Sequence, residues 1–133
     1  FLPDMIARKS GHLVFMCSVS GFLATSFETT YTVSKFGLRG FSMAIAGEVS
    51  KHGISTTTIY PFWADTNILK STSYGTRKGK RPNQLLIIKP DKIVGTAIEG
   101  IKMKRRHVYA DPYTRLFWWL IKFWPIVGKQ PVE

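Results

Sequence analysis

At 133 residues the chain has room for one modest domain with a single buried core. Its 44% hydrophobic and 20% charged residues are ordinary for a soluble globular protein. A single cysteine, Cys17, excludes an internal disulfide and any cysteine-based metal cluster, and fits a reducing compartment.

The formal net charge is +11, a balance that suits nucleic acid, an anionic membrane surface or an anionic cofactor. The charge is concentrated in two runs, residues 77–81 and 102–106. Neither run is interleaved with aromatic residues, which argues against a single-strand nucleic-acid surface and for solvated or membrane-facing charge.

Leu2, Met5 and Ile6 recur at helical spacing and Ser10-Gly11 stops that helix. No positively charged leader precedes an apolar run, so no signal peptide is expected. The opening reads as a helix already under way, as in a chain cut from something longer. His12 to Ser18 is a short apolar run, expected as a strand buried on both faces of a parallel sheet.

Gly21 to Thr30 has loop composition. From Tyr31 to about Lys51, Phe36, Phe41, Ile45, Ala46 and Val49 predict an amphipathic helix ended by His52-Gly53. Ile54 to Tyr60 is β-branched and reads as the next strand, stopped by Pro61. Residues 62–89 are polar, basic and weakly periodic, a long excursion with at most a short helix.

Pro90-Asp91-Lys92 starts a helix through about Lys102, with Ile93, Val94, Ala97, Ile98 and Ile101 as its apolar face. His107 to Ala110 reads as a short strand, and Asp111-Pro112 opens a last helix ended or kinked by Pro125. This alternation predicts an α/β fold with a parallel sheet and helices on both faces.

Tyr31-Thr32-Val33-Ser34-Lys35 places a phenol and an ammonium at i and i+4, on one helix face. A tyrosine with the ordinary pKa near 10 is a poor acid or base at neutral pH, and a nearby cation favours its phenolate. Such a pair is a candidate proton-transfer unit, although the spacing also arises on solvated helices. Ser18 stands at the end of the predicted strand, 31 − 18 = 13 residues before Tyr31. In open α/β sheets the carboxyl ends of strands border the ligand crevice, so Ser18 and Tyr31 are expected at one place.

Lys9-Ser10-Gly11-His12-Leu13-Val14, followed by Cys17-Ser18-Val19-Ser20-Gly21, resembles the Ser strand of the short-chain dehydrogenase/reductase family. The stretch Y-T-V-S-K-F-G-L-R-G-F is similar to that family's active-site helix. The resemblance runs from the helix before the Ser strand to the last strand. It implies a Rossmann-like parallel sheet with flanking helices, C-terminal half only, over residues 1–133.

It further implies NAD(P)-dependent interconversion of a carbonyl and an alcohol. Tyr31 would be the general acid/base, Ser18 would orient the substrate oxygen, and Lys35 would favour the phenolate and contact the nicotinamide ribose. Pro61 and Thr66 correspond to positions beside the nicotinamide, with Phe62 where the family usually has glycine. Residues 62–89 correspond to the substrate loop. The choice between NAD and NADP rests on residues of the other half: the motifs T-G-x-x-x-G-x-G and N-N-A-G appear nowhere in the sequence. These residues alone are therefore expected to bind a dinucleotide poorly.

His12, His52 and His107 lack ligand spacing, so no metal site is expected. The aromatic helix and tail over 111–133 contain a run of about twelve mostly apolar residues, against the roughly twenty that span a bilayer. With Arg115, Lys122 and Lys129 nearby, residues 115–129 suit contact with a membrane surface, and equally packing against the domain or a second subunit.

The expected partners are a small carbonyl or alcohol substrate of apolar, lipid-like character and a second copy in a homo-oligomer; the expected place is cytoplasmic, peripheral at a membrane. Two other readings stand beside this one: a non-catalytic truncated remnant, and a basic module binding membrane surfaces or nucleic acid.

Overall fold

The computed structural model describes residues 1–70 and 82–123. Helix α1 (Leu2–Ala7) leads into strand β1 (Gly11–Met16). The long helix α2 (Thr29–Ser50) returns the chain to β2 (Ile54–Tyr60), and α3 (Pro90–Lys102) leads to β3 (His107–Tyr109). Helix α4 (Pro112–Phe123) follows.

The strands form one parallel sheet in the order β1-β2-β3, with Gly11 opposite Ile54, Met16 opposite Ile59 and Tyr60 opposite Tyr109. This is the expected Rossmann-like arrangement, with each parallel step made through a helix. All three strands end on the same side, where the chain passes Ser18, Pro61 and Asp111.

The central strand explains why a threonine-rich sequence can be buried. Thr57 is wholly enclosed, yet its hydroxyl donates to the Arg105 carbonyl at 2.8 Å and meets His12 Nε2 at 2.7 Å. On one face Ile59 packs with Ile93, Ala97, Val108 and Ala110 beneath α3. On the other, Tyr60 joins Cys17, Val19 and Phe22, with Tyr109, Phe117 and Trp118 around them.

Two expectations are corrected. β1 ends at Met16 rather than Ser18, and it is not covered on both faces: Val14 is 43% and Met16 54% exposed. β1 lies at the sheet edge, where Phe15 meets Phe41 of α2 edge-on at 5.8 Å and the opposite face is open. On α2, the residues buried are Ser42, Ala46 and Val49, while Phe36 and Phe41 are exposed. Small side chains at i, i+4 and i+7 let the helix approach, and the phenylalanines flank that line.

The excursion over 62–89 is closed at its neck. Ala64 bridges Ile88, the Ile88 amide donates to Trp63 O at 2.8 Å, and the Asp65 amide donates to Ile88 O at 3.0 Å. Short 3-10 turns occupy Asn67–Lys70 and Gln84–Leu86. The basic run at 77–81 and the tail from 124 onward lie outside the described residues.

Candidate active site at the carboxyl ends of the strands

Beyond Met16 the chain keeps contact with β2. The Cys17 amide donates to Ile59 O and the Val19 amide to Pro61 O, each at 2.9 Å. These bonds hold Ser18 beside the end of β2. Ser18 is buried, and its Oγ caps the 3-10 turn Val19–Gly21 by accepting from the Ser20 amide at 3.2 Å.

That turn is where α2 crosses. A side chain on Gly21 would place its Cβ 2.5 Å from Cys17 Sγ and 3.2 Å from the Lys35 carbonyl. Glycine is therefore required for the helix to come this close. Cys17 is buried, its Sγ faces Lys35 O at 3.3 Å, and burial raises its pKa, which keeps it a thiol.

Tyr31 stands in the first turn of α2, with Lys35 one turn further on. The Lys35 ammonium lies 5.5 Å from the centre of the Tyr31 ring and donates to the Met16 carbonyl at 3.1 Å. One cation thus links the phenol's helix to the end of β1, two residues before Ser18. An ammonium carries three N–H donors, so the bond to Met16 leaves Lys35 suited to vicinal hydroxyls such as those of a ribose. In this respect the residues fit the nicotinamide end of a dinucleotide.

The other predicted cofactor residues lie along the turn after β2. Pro61 accepts from Val19, and Thr66 Oγ1 faces Ala64 O at 3.4 Å. Phe62 has no left-handed backbone. Its ring stacks on Phe117 at 5.5 Å and meets Trp63 and Tyr113 at 4.9 and 5.6 Å. The bulk that replaces glycine is thereby packed against α4. Among the described residues no cluster of histidine, cysteine or carboxylate side chains could hold a metal.

The sequence marks Asp111 only as a helix opener. In the structure its carboxylate also receives the Phe62 amide, and the D-P-Y-T pattern signals only its capping of α4. The Met16 carbonyl was equally hidden, being a backbone group.

The sequence profile of the family described as short chain dehydrogenase matches residues 1–76, and the chain belongs to this family. Human 17-beta-hydroxysteroid dehydrogenase 13 is 30% identical, over 93% of this chain and 40% of that protein. Human epidermal retinol dehydrogenase 2 is also 30% identical, over 95% of this chain and 40% of that protein. The chain thus spans about two fifths of the length of these relatives. A short-chain dehydrogenase/reductase from Burkholderia phymatum, solved in complex with NAD, superposes with a TM-score of 0.74 at 15% identity, covering 100% of this chain and 56% of that one. That likeness establishes the shared fold.

Proposed function

We propose that the full protein containing this chain is an NAD(P)-dependent oxidoreductase that interconverts a carbonyl and an alcohol, with Ser18, Tyr31 and Lys35 as its working side chains. The observation that carries this reading is the double engagement of Lys35, over the Tyr31 ring and on the Met16 carbonyl at the end of β1.

In the reducing direction Tyr31 Oη gives its proton to the substrate oxygen, and in the oxidising direction it takes that proton back. Ser18 Oγ already accepts from the Ser20 amide, so its own hydrogen is the one offered to the substrate oxygen. The Lys35 ammonium offsets the charge of the phenolate and offers hydrogen bonds to ribose hydroxyls. Pro61 and Thr66, on the turn after β2, would flank the nicotinamide. The nicotinamide, when bound, supplies or accepts the hydride.

The substrate class is an apolar alcohol or ketone. Two relatives bear names that specify a hydroxysteroid and retinol. The aromatic layer of Phe62, Trp63, Tyr113 and Phe117 borders the neck of the substrate loop. The test is turnover of steroid and retinoid alcohols by the full protein with NAD and with NADP. Tyr31→Phe should abolish turnover while cofactor binding persists; a variant with near-normal turnover overturns the assignment.

A second reading concerns where the enzyme works. Leu116, Trp119 and Phe123 form an exposed apolar line at i, i+3 and i+7 on α4, with Arg115 and Lys122 beside it and no carboxylate on the helix. Among the described residues no helix is long and apolar enough to cross a membrane. The face suits the surface of an anionic bilayer instead.

A further inference from the structure

Asp111 is buried at the join between β3 and α4, and every oxygen of its carboxylate is engaged. Oδ1 accepts from the Thr114 amide at 2.8 Å, which caps α4. Oδ2 accepts from the Thr114 hydroxyl at 2.8 Å and from the Phe62 amide at 2.8 Å. The last bond leaves the helix altogether and grips the turn after β2. A capping residue needs only the first.

We infer that Asp111 is a positioning residue for the nicotinamide pocket, fixing the Pro61–Phe62 turn through the Phe62 amide. The inference rests on the oxidoreductase reading, because that reading puts Pro61 and Thr66 beside the nicotinamide. Phenylalanine has fewer backbone states than glycine and adds a bulky ring, so what holds its amide and its ring sets where this turn lies. Two restraints do so here: the carboxylate on the Phe62 amide and the Phe117 ring on the Phe62 ring, both supplied from the β3–α4 segment. A charged acceptor in a buried site makes the first of these strong and directional. The turn is thereby organised before any cofactor arrives, which lowers the ordering cost of binding.

Asp111→Ser separates this role from capping. Serine is a good N-cap and preserves the start of α4, but it is too short to reach Phe62. Affinities are measured in the full protein for NADH and NADPH, and for the matching ADP-ribose, which lacks the nicotinamide. Asp111→Ser should weaken the whole cofactor about tenfold and leave ADP-ribose unchanged. Thr114→Val, which loosens the cap but spares the Phe62 bond, should lower Tm without altering that ratio.

An unchanged ratio in Asp111→Ser overturns the inference alone, as does an equal loss for both ligands. Wild type that binds neither dinucleotide overturns the oxidoreductase reading and the inference with it. Amide exchange supplies a check without any variant: the Phe62 N–H should be strongly protected in the cofactor-free protein, and rapid exchange overturns the clamp.

Discussion

Lys35 donates from its ammonium to the carbonyl of Met16 at 3.1 Å, joining the second turn of α2 to the last residue of β1. The same ammonium lies over the Tyr31 ring. A lysine committed only to solvent would leave the phenol on a helix face with no fixed relation to the sheet. Here the cation is held at the strand end from which Ser18 follows, and Gly21 lets the helix backbone come into contact there.

Replacing that cation tests the arrangement. Lys35→Met keeps much of the aliphatic stem and removes both the charge and the bond to Met16. We expect kcat to fall by about a hundredfold or more, the usual scale for impaired general acid–base catalysis. KM for the cofactor should rise if Lys35 holds the nicotinamide ribose. Steady-state kinetics in the full protein check both, and an unchanged kcat would remove Lys35 from the mechanism.

Two glycines on α3 should respond in opposite senses to alanine. A Cβ at Gly100 would collide with Val108 Cγ2 and lie 3.2 Å from Val108 Cβ, so α3 or β3 must shift. Gly100→Ala should destabilise the fold by about 1–3 kcal/mol, the range for overpacking a core. Gly95 is exposed on the same helix with open space around it, and Gly95→Ala should stabilise by about 0.5–1 kcal/mol from helix propensity. Denaturant titration of the two variants decides, and equal signs would contradict the packing of α3 on β3.

Much of this architecture could be read in the sequence because it depends on periodicity. The β-branched run Ile54–Tyr60 becomes the central strand, and the i, i+4 pair Tyr31 and Lys35 lies where the strand–helix alternation leads. What escaped depends on neighbours. An apolar run such as His12–Ser18 looks the same whether one face or both are covered, so open Val14 and Met16 could not be foreseen. Phe41 fits an apolar helix stripe, but the approach of α2 to the sheet runs along Ser42, Ala46 and Val49. The clamp between Asp111 and Phe62 joins residues 49 apart in the chain, and no local pattern encodes it.

Acid should weaken the fold partly through histidine. Burial lowers the pKa of His107, and Arg106 and Arg39 add to the effect; His12 is lowered by burial and by Lys104. Burial also raises the pKa of Tyr60, whose hydroxyl lies 3.3 Å from His107 Nδ1 in a contact between two neutral rings. Since the folded pKa lies below the unfolded value near 6.5, the unfolded chain binds protons first as pH falls. The stability contributed by neutral His107 is complete above about pH 6.5 and declines as pH drops toward the folded pKa, then levels off. His107→Gln retains both an acceptor and a donor that can face Tyr60 and cannot titrate, so its Tm should fall less than that of wild type between pH 7 and 5. Parallel Tm curves would show that His107 carries no such linkage.

If α4 lies on an anionic bilayer, its cations draw the protein in and its apolar line holds it there. Co-sedimentation with vesicles containing phosphatidylserine should weaken with added salt, because surface charge is screened over about 10 Å at 0.1 M. Removing the apolar line in Leu116→Ser/Trp119→Ser/Phe123→Ser should weaken binding at least about tenfold at fixed salt, as each buried large side chain contributes about 1.5–3 kcal/mol. Retained salt sensitivity in that triple variant is expected, since Arg115 and Lys122 are untouched. Binding that tracks salt and ignores the triple variant would assign the attraction to the basic runs and leave the aromatic face to some other partner. Equal binding to uncharged vesicles would instead remove the electrostatic half of the argument.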